Sequence, residues 1–161
     1  MDWTVLLPYA RSLGNTAFAL WLGQATWRIA GLLTIHLFGL TLLLGAVVVS
    51  SLRLIGLFLR ARPIAEVRRI TGPATIAGLV IMISSGALIF TGGAEAYYTG
   101  YWFRLKMVLL VIAVAFHFTI ARGVSYAQAG RFPAIVNALT GLVSLLLWFS
   151  VGWAGRSIAF F

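Results

Sequence analysis

IAGLLTIHLFGLTLLLGAVVVSSL, residues Ile29–Leu52, lies between Arg28 and Arg53 and contains no formal charge. Its 24 residues make roughly 36 Å of α-helix at about 1.5 Å per residue. A bilayer core takes about 20 apolar residues, so the stretch predicts a membrane-spanning helix. One of its residues, His36, is foreign to lipid. An ionisable group inside a span is a functional-site hypothesis by default, because hydrocarbon cannot solvate it.

The rest of the chain has the same character. Of its 161 residues, 61% are hydrophobic and 9% charged, against about 25% charged in an ordinary soluble domain. That composition predicts a membrane protein. The net charge of +9 sits at the ends of apolar runs, the pattern of helix-flanking anchors, and nucleic acid is therefore set aside as a partner. The absence of cysteine excludes disulfides, thiolate metal sites and thiol chemistry. Two histidines and three carboxylates remain as the inventory of polar chemistry.

In order, residues 1–24 read as an amphipathic segment lying along the membrane surface, and 25–161 as a four-span bundle. The first segment does not read as a signal peptide, since Asp2 precedes a short apolar run with no basic lead-in. Pro8 is expected to break its first piece and Asn15 to cap a short helix over Thr16–Gly23, with Trp3, Trp21 and Trp27 as interface anchors. The segment serves as an anchor or as a lid. Spans are predicted over about 27–52, 73–91, 101–121 and 132–153, with a basic linker at 53–69 and the loop GGAEAYYTG after the second. Short connections predict an all-α, antiparallel four-helix bundle. Gly78, Ser84, Ser85, Gly86 and Gly141 suit close helix approach.

Loop charge gives the orientation. Arg53, Arg60, Arg62, Arg68, Arg69, Arg122 and Arg131 fall on one face; Arg11, Arg28, Arg104, Lys106 and Arg156 fall on the other. The first face is predicted to be cytoplasmic, with both termini periplasmic in a bacterial inner membrane. All six tryptophans (3, 21, 27, 102, 148 and 153) are expected in the outer half.

On this layout His36 lies roughly 10 Å below the outer end and Lys106 roughly 7 Å, so the two can meet on neighbouring helices. Arg104, Arg28, Tyr97, Tyr98 and Glu95 are expected around the same outer pocket. His117 stands 11 residues beyond Lys106, roughly 16 Å deeper along the helix. Haem ligation is the sharpest use of the two histidines. Their stagger disfavours one haem held between His36 and His117 and leaves one haem at His36 or two separate sites. Gly39, at i+3 from His36, would let a flat macrocycle approach the backbone, or would simply serve helix packing. Met82 and Met107 are soft candidates that more often fill core space. His36 and His117 are the candidate metal ligands, but with one loop glutamate they do not make a tetrahedral zinc site. No hydrolase triad, phosphate loop or paired intramembrane carboxylate is present.

The tryptophan-rich N-terminal segment, HLFGLTLLLG with the exit SLRLIG, and AYYTGYWFRLKMVLL resemble a family of small, uncharacterised bacterial four-span membrane proteins. The resemblance covers nearly the whole chain and implies no activity. More distantly, the Phe103-x-x-Lys106 entry to a later span is similar to the copper-resistance protein D membrane domain and to HemJ-type protoporphyrinogen oxidase. The HemJ type implies bound haem b and functional roles for a first-span histidine, here His36, and for the lysine, here Lys106. Its later histidine would fall on His117. The extra N-terminal segment and the deeper position of the first histidine depart from that pattern.

Three functions follow. The first is a b-type haem protein passing electrons or oxidising a small lipophilic substrate, with His36 as axial ligand and Lys106 and Arg104 as ligands, substrate-orienting groups or propionate partners. The second is a copper, metal or proton permease with a path from His36 to His117. The third is an accessory subunit whose small-residue faces bind a second copy or a membrane-complex partner within the lipid bilayer.

Overall fold

The computed structural model describes residues 5–127, 131–158 and 160, and among these there is no strand. Two short helices, α1 (Leu7–Gly14) and α2 (Ala17–Gly23), precede α3 (Thr26–Ile55), α4 (Ile64–Thr91) and the short α5 (Ala94–Thr99). The third span joins α6 (Tyr101–Phe116), a π-helical turn at His117–Ala121 and α7 (Arg122–Tyr126); α8 (Ala134–Ser157) is the fourth. The four spans run 30, 28, 26 and 24 residues and are apolar enough to cross a bilayer. The protein is an all-α, multi-pass membrane bundle.

Each span buries one stripe spaced by three and four residues, the period that keeps a helix face against its neighbours. On α3 the stripe includes Gly39, Leu43, Ala46, Val47, Ser50 and Leu54; on α4, Arg68, Thr75, Gly78, Met82 and Ser85; on α8, Gly141, Ser144, Trp148 and Val151. Stacked together, the stripes make three layers. The middle is apolar, with Leu43, Val47, Met82, Ala113, Trp148 and Val151 in one buried cluster. Toward the arginine-rich end the buried residues turn polar: Ser50, Ser51, Thr75, His117, Thr140 and Ser144, with Arg68 beside them. Several of these hydroxyls bond their own helix, such as Thr75 to the Thr71 carbonyl (3.0 Å) and Ser50 to the Ala46 carbonyl (3.0 Å), which lets them be buried in lipid at little cost. The outer layer holds His36, Ser85 and Lys106.

Glycines set the closest approaches. A Cβ on Gly78 would stand 2.6 Å from the Leu43 nitrogen, and one on Gly39 would stand 2.9 Å from the Met82 nitrogen, so α3 and α4 touch backbone to backbone. On α8 a Cβ at Gly141 would meet the Ser51 carbonyl oxygen at 2.6 Å. Around the bundle the order is α4, α3, α8, α6. The ring is not evenly closed. Although α4 and α6 are consecutive spans, they meet chiefly at their ends. At the outer end the Phe90, Tyr97 and Phe103 rings lie 5.2–6.4 Å apart, and at the inner end Arg68 Nη2 donates to the His117 carbonyl at 2.8 Å.

Several local expectations change. The second span begins at Ile64 rather than near Pro73, so Arg68 and Arg69 are helical and Pro73 sits inside α4. The start signal is Pro63, which cannot extend a helix backward and stands just before its first residue. The third span continues to Tyr126 through the π turn, and the fourth runs to Ser157. Pro8 opens α1 instead of breaking it. Thr16, not Asn15, caps α2, its Oγ1 accepting from the Ala19 N–H at 3.3 Å. Trp148 is no interface anchor: it is 1% exposed in the middle layer. Trp3 lies outside the described residues. Gly56 ends α3 at φ +85°, a left-handed cap that frees the basic linker to turn back.

Candidate functional site

His36 sits on α3 one turn outward of the Gly39 crossing, and its Nδ1 is 3.0 Å from Ser85 Oγ on α4. The Ser85 hydroxyl proton is already given to the Ile81 carbonyl at 2.6 Å. A hydroxyl has one proton to donate, so Oγ accepts from Nδ1–H. The ring is thereby held as the tautomer with its proton on Nδ1 and its lone pair on Nε2. Gly86 supplies the wall beside it: a Cβ there would come within 3.1 Å of Cε1 and 3.5 Å of Nδ1. The Nδ1–Cε1 edge therefore lies on α4, and the Nε2–Cδ2 edge turns away from that helix. The backbone of Met82, on the same helix, also bonds the ring.

Lys106 approaches the same layer from α6. Its Cε and Nζ lie over Gly155 of α8, where a Cβ would meet each at 3.4 Å, and its charge is close enough to act on His36. Both side chains are half-buried. Neither described carboxylate neutralises the lysine, since Glu66 pairs with Arg62 and Glu95 with Arg11 at 2.8 Å. The outer site is thus an oriented imidazole on α3 with the Lys106 amine in the same half of the bundle.

The other expected residues lie elsewhere. His117 is in the inner layer, 2% exposed, its ring edge-on to Phe118 (5.2 Å) and Trp148 (6.1 Å). His117 stands 11 residues beyond Lys106 on the same span, roughly 16 Å further along the helix. Leu43, Val47 and Met82 fill the space between it and His36, so the two do not share a site. The gap Gly39 leaves is taken by Ile81 and Met82, not left for a flat ligand. Arg28 donates to the Trp21 carbonyl and lies 4.1 Å over the Trp21 ring, tying α2 to α3. Arg104 Nη2 donates to the Thr99 carbonyl at 3.2 Å, at the joint between α5 and α6. Tyr97 belongs to the aromatic contact that closes the outer end, and Glu95 to the ion pair that holds α1 on α5. Among the described residues no three His, Asp or Glu converge as metal ligands.

Sequence reasoning read Ser85 and Gly86 only as packing residues and passed over Gly155. Their signal was there: Ser85 continues the Gly78–Met82 stripe, and Gly155 continues Gly141, Ser144, Trp148 and Val151.

Residues 13–161 match the model of a family of unknown function, DUF6644. The chain belongs to DUF6644. The match takes in all four spans, so the His36–Lys106 layer lies inside the boundaries of DUF6644 itself. Neither curated proteins nor solved structures give a match, and the likeness to copper-resistance protein D and the HemJ type finds no support in these comparisons.

Proposed function

We propose that this DUF6644 protein binds haem b in the outer half of its bundle, with His36 as axial ligand, and passes electrons or oxidises a small lipophilic substrate. The observation that carries the reading is the His36–Ser85 hydrogen bond. Histidines that ligate metals characteristically donate their other ring N–H to a fixed acceptor, which sets the tautomer and raises the basicity of the ligating nitrogen. Lys106, paired with neither described glutamate, supports it as a second donor group in the same half of the bundle, placed to ligate or to hold a propionate. Gly86 and Gly155 keep both walls free of side chains. Bound haem supplies one-electron exchange at a potential set by ligand and burial. The chain's own part is to present the imidazole in a fixed orientation and to bring the lysine amine into the same half of the bundle. The excess of basic residues at the arginine-rich end supports a cytoplasmic orientation for it, with the site toward the periplasmic side of a bacterial inner membrane. A permease reading is weaker, because the apolar middle layer interrupts any path from His36 to His117.

The test is the absorption spectrum of the full chain purified after haem-supplemented expression, oxidised and dithionite-reduced. A Soret band with sharpened reduced bands is expected, lost in His36→Ala and kept in His117→Ala. A colourless protein overturns the proposal.

A further inference from the structure

The inner layer and its border with the apolar middle contain polar atoms that the fold leaves without partners. Ser51 Oγ, His117 Nδ1 and Trp148 Nε1 are each buried and make no hydrogen bond within the described residues. Their residues are 1%, 2% and 1% exposed. Leaving a buried donor or acceptor unpaired is costly, and native proteins meet that cost with ordered water wherever two to four polar groups converge. Here three spans contribute. Trp148 and His117 face each other ring to ring at 6.1 Å across α8 and the π turn. Ser51 lies toward the arginine-rich end, against Gly141, with Ser144 on the α8 face between Gly141 and Trp148.

A second feature leads in from that end. Arg68 is 6% exposed, and of its five N–H donors the described bond is the one from Nη2 to the His117 carbonyl. Neither described glutamate is its partner. A cation so placed needs water for its remaining donors, and it touches the residue whose ring nitrogen is unpaired. The π turn is suited to this, because such turns interrupt the regular ladder and free a carbonyl for an outside donor.

We infer that the inner half of the bundle encloses an internal water site, reached past Arg68 and bounded by His117 and Trp148, with Ser51 nearer the arginine-rich end. Trp148 Nε1–H donates to the water, and the water donates to the His117 Nδ1 lone pair. The apolar layer of Leu43, Val47, Met82 and Val151 ends it. His117 therefore exchanges protons with the arginine-rich side, while His36 is reached only from the opposite side. The inference does not depend on what His36 binds.

The test is hydrogen–deuterium exchange with water-edited solid-state NMR on the full chain in lipid bilayers, labelled with nitrogen-15 at histidine, tryptophan and valine. The expected result is magnetisation transfer from water to the His117 ring and the Trp148 indole several-fold faster than to the Val47 and Val151 amides, with prompt loss of the Trp148 indole proton in deuterium oxide. In Trp148→Phe the transfer to His117 is expected to weaken, and in His117→Phe the transfer to Trp148. Transfer to both rings as slow as to Val47, or rates at each ring that ignore substitution of the other, would overturn the inference.

Discussion

His36 and His117 are the same residue in two opposite settings. At His36 the side chain is held and the backbone is ordinary: Ser85 fixes one nitrogen, and Gly86 gives the ring a wall. At His117 the backbone is held and the side chain is sealed: Arg68 binds the carbonyl, and the ring is enclosed by Phe118 and Trp148 with Nδ1 unpaired. A neighbour that orients an imidazole while leaving one nitrogen free prepares it for a ligand. A neighbour that grips only the main chain shapes the helix, and the ring must find its own partner. The environment, not the residue type, separates a ligand from a core histidine.

The two regions share one scaffold, and removing it should abolish the comparison altogether. In Gly78→Ala the new methyl would meet the Leu43 nitrogen at 2.6 Å, with backbone that cannot yield. Overpacking of this kind costs about 3 kcal/mol at its upper range. Thermal unfolding in detergent is expected to shift down strongly, and signals from both histidines to change together. An unchanged unfolding curve would mean that the α3–α4 crossing is looser than described.

Removing the rings one at a time should pull the regions apart. His117→Ala opens a hole beside Trp148 in a close-packed layer, and about 2 kcal/mol of destabilisation is expected, with a shift in tryptophan emission. His36→Ala forfeits one hydrogen bond on a half-exposed ring, about 1 kcal/mol, yet is expected to abolish the haem spectrum. The reverse order of stabilities would assign the structural role to His36. A finer cut is Ser85→Ala, which leaves His36 in place without its acceptor. Loss of such an orienting partner weakens metal affinity about 10-fold or more. Haem titration of the variant checks it, and an unaltered affinity would leave the Ser85 contact as packing alone.

How much of this was legible in sequence differs between the two regions. The four spans were legible because charge-free runs of this length have one use. His36 and Lys106 could be set at one level because both were counted from the same membrane surface. The Ser85 and Gly86 contacts were not, because pairing residues 49 positions apart requires the register of α3 on α4, which Gly39 and Gly78 set and hydropathy does not reveal. The setting of His117 was not legible for a related reason. The third span runs on through the π turn to Tyr126, and Arg68 enters from a helix whose start at Pro63 was passed over. Trp148 was expected in the outer half with the other tryptophans, but its stripe through Gly141 and Ser144 carries it into the buried core.

The smallest effect is expected farthest from both histidines. Arg11 and Glu95 pair at 2.8 Å across the surface segment, their side chains 58% and 50% exposed. An ion pair of that exposure contributes less than about 1 kcal/mol, since water and salt screen it and two long side chains are immobilised to form it. Arg11→Ala should therefore leave the unfolding midpoint almost unmoved and both ring environments intact. Its effect should instead be local: protease access to α1 should rise, because the pair helps hold α1 on α5, while α2 stays tied to α3 by Arg28 over Trp21. If Arg11→Ala instead altered the His36 signal, α1 would be a cover coupled to the outer site rather than a surface anchor. The two histidine regions would then differ in a further respect, since a mobile segment would lie over one of them alone.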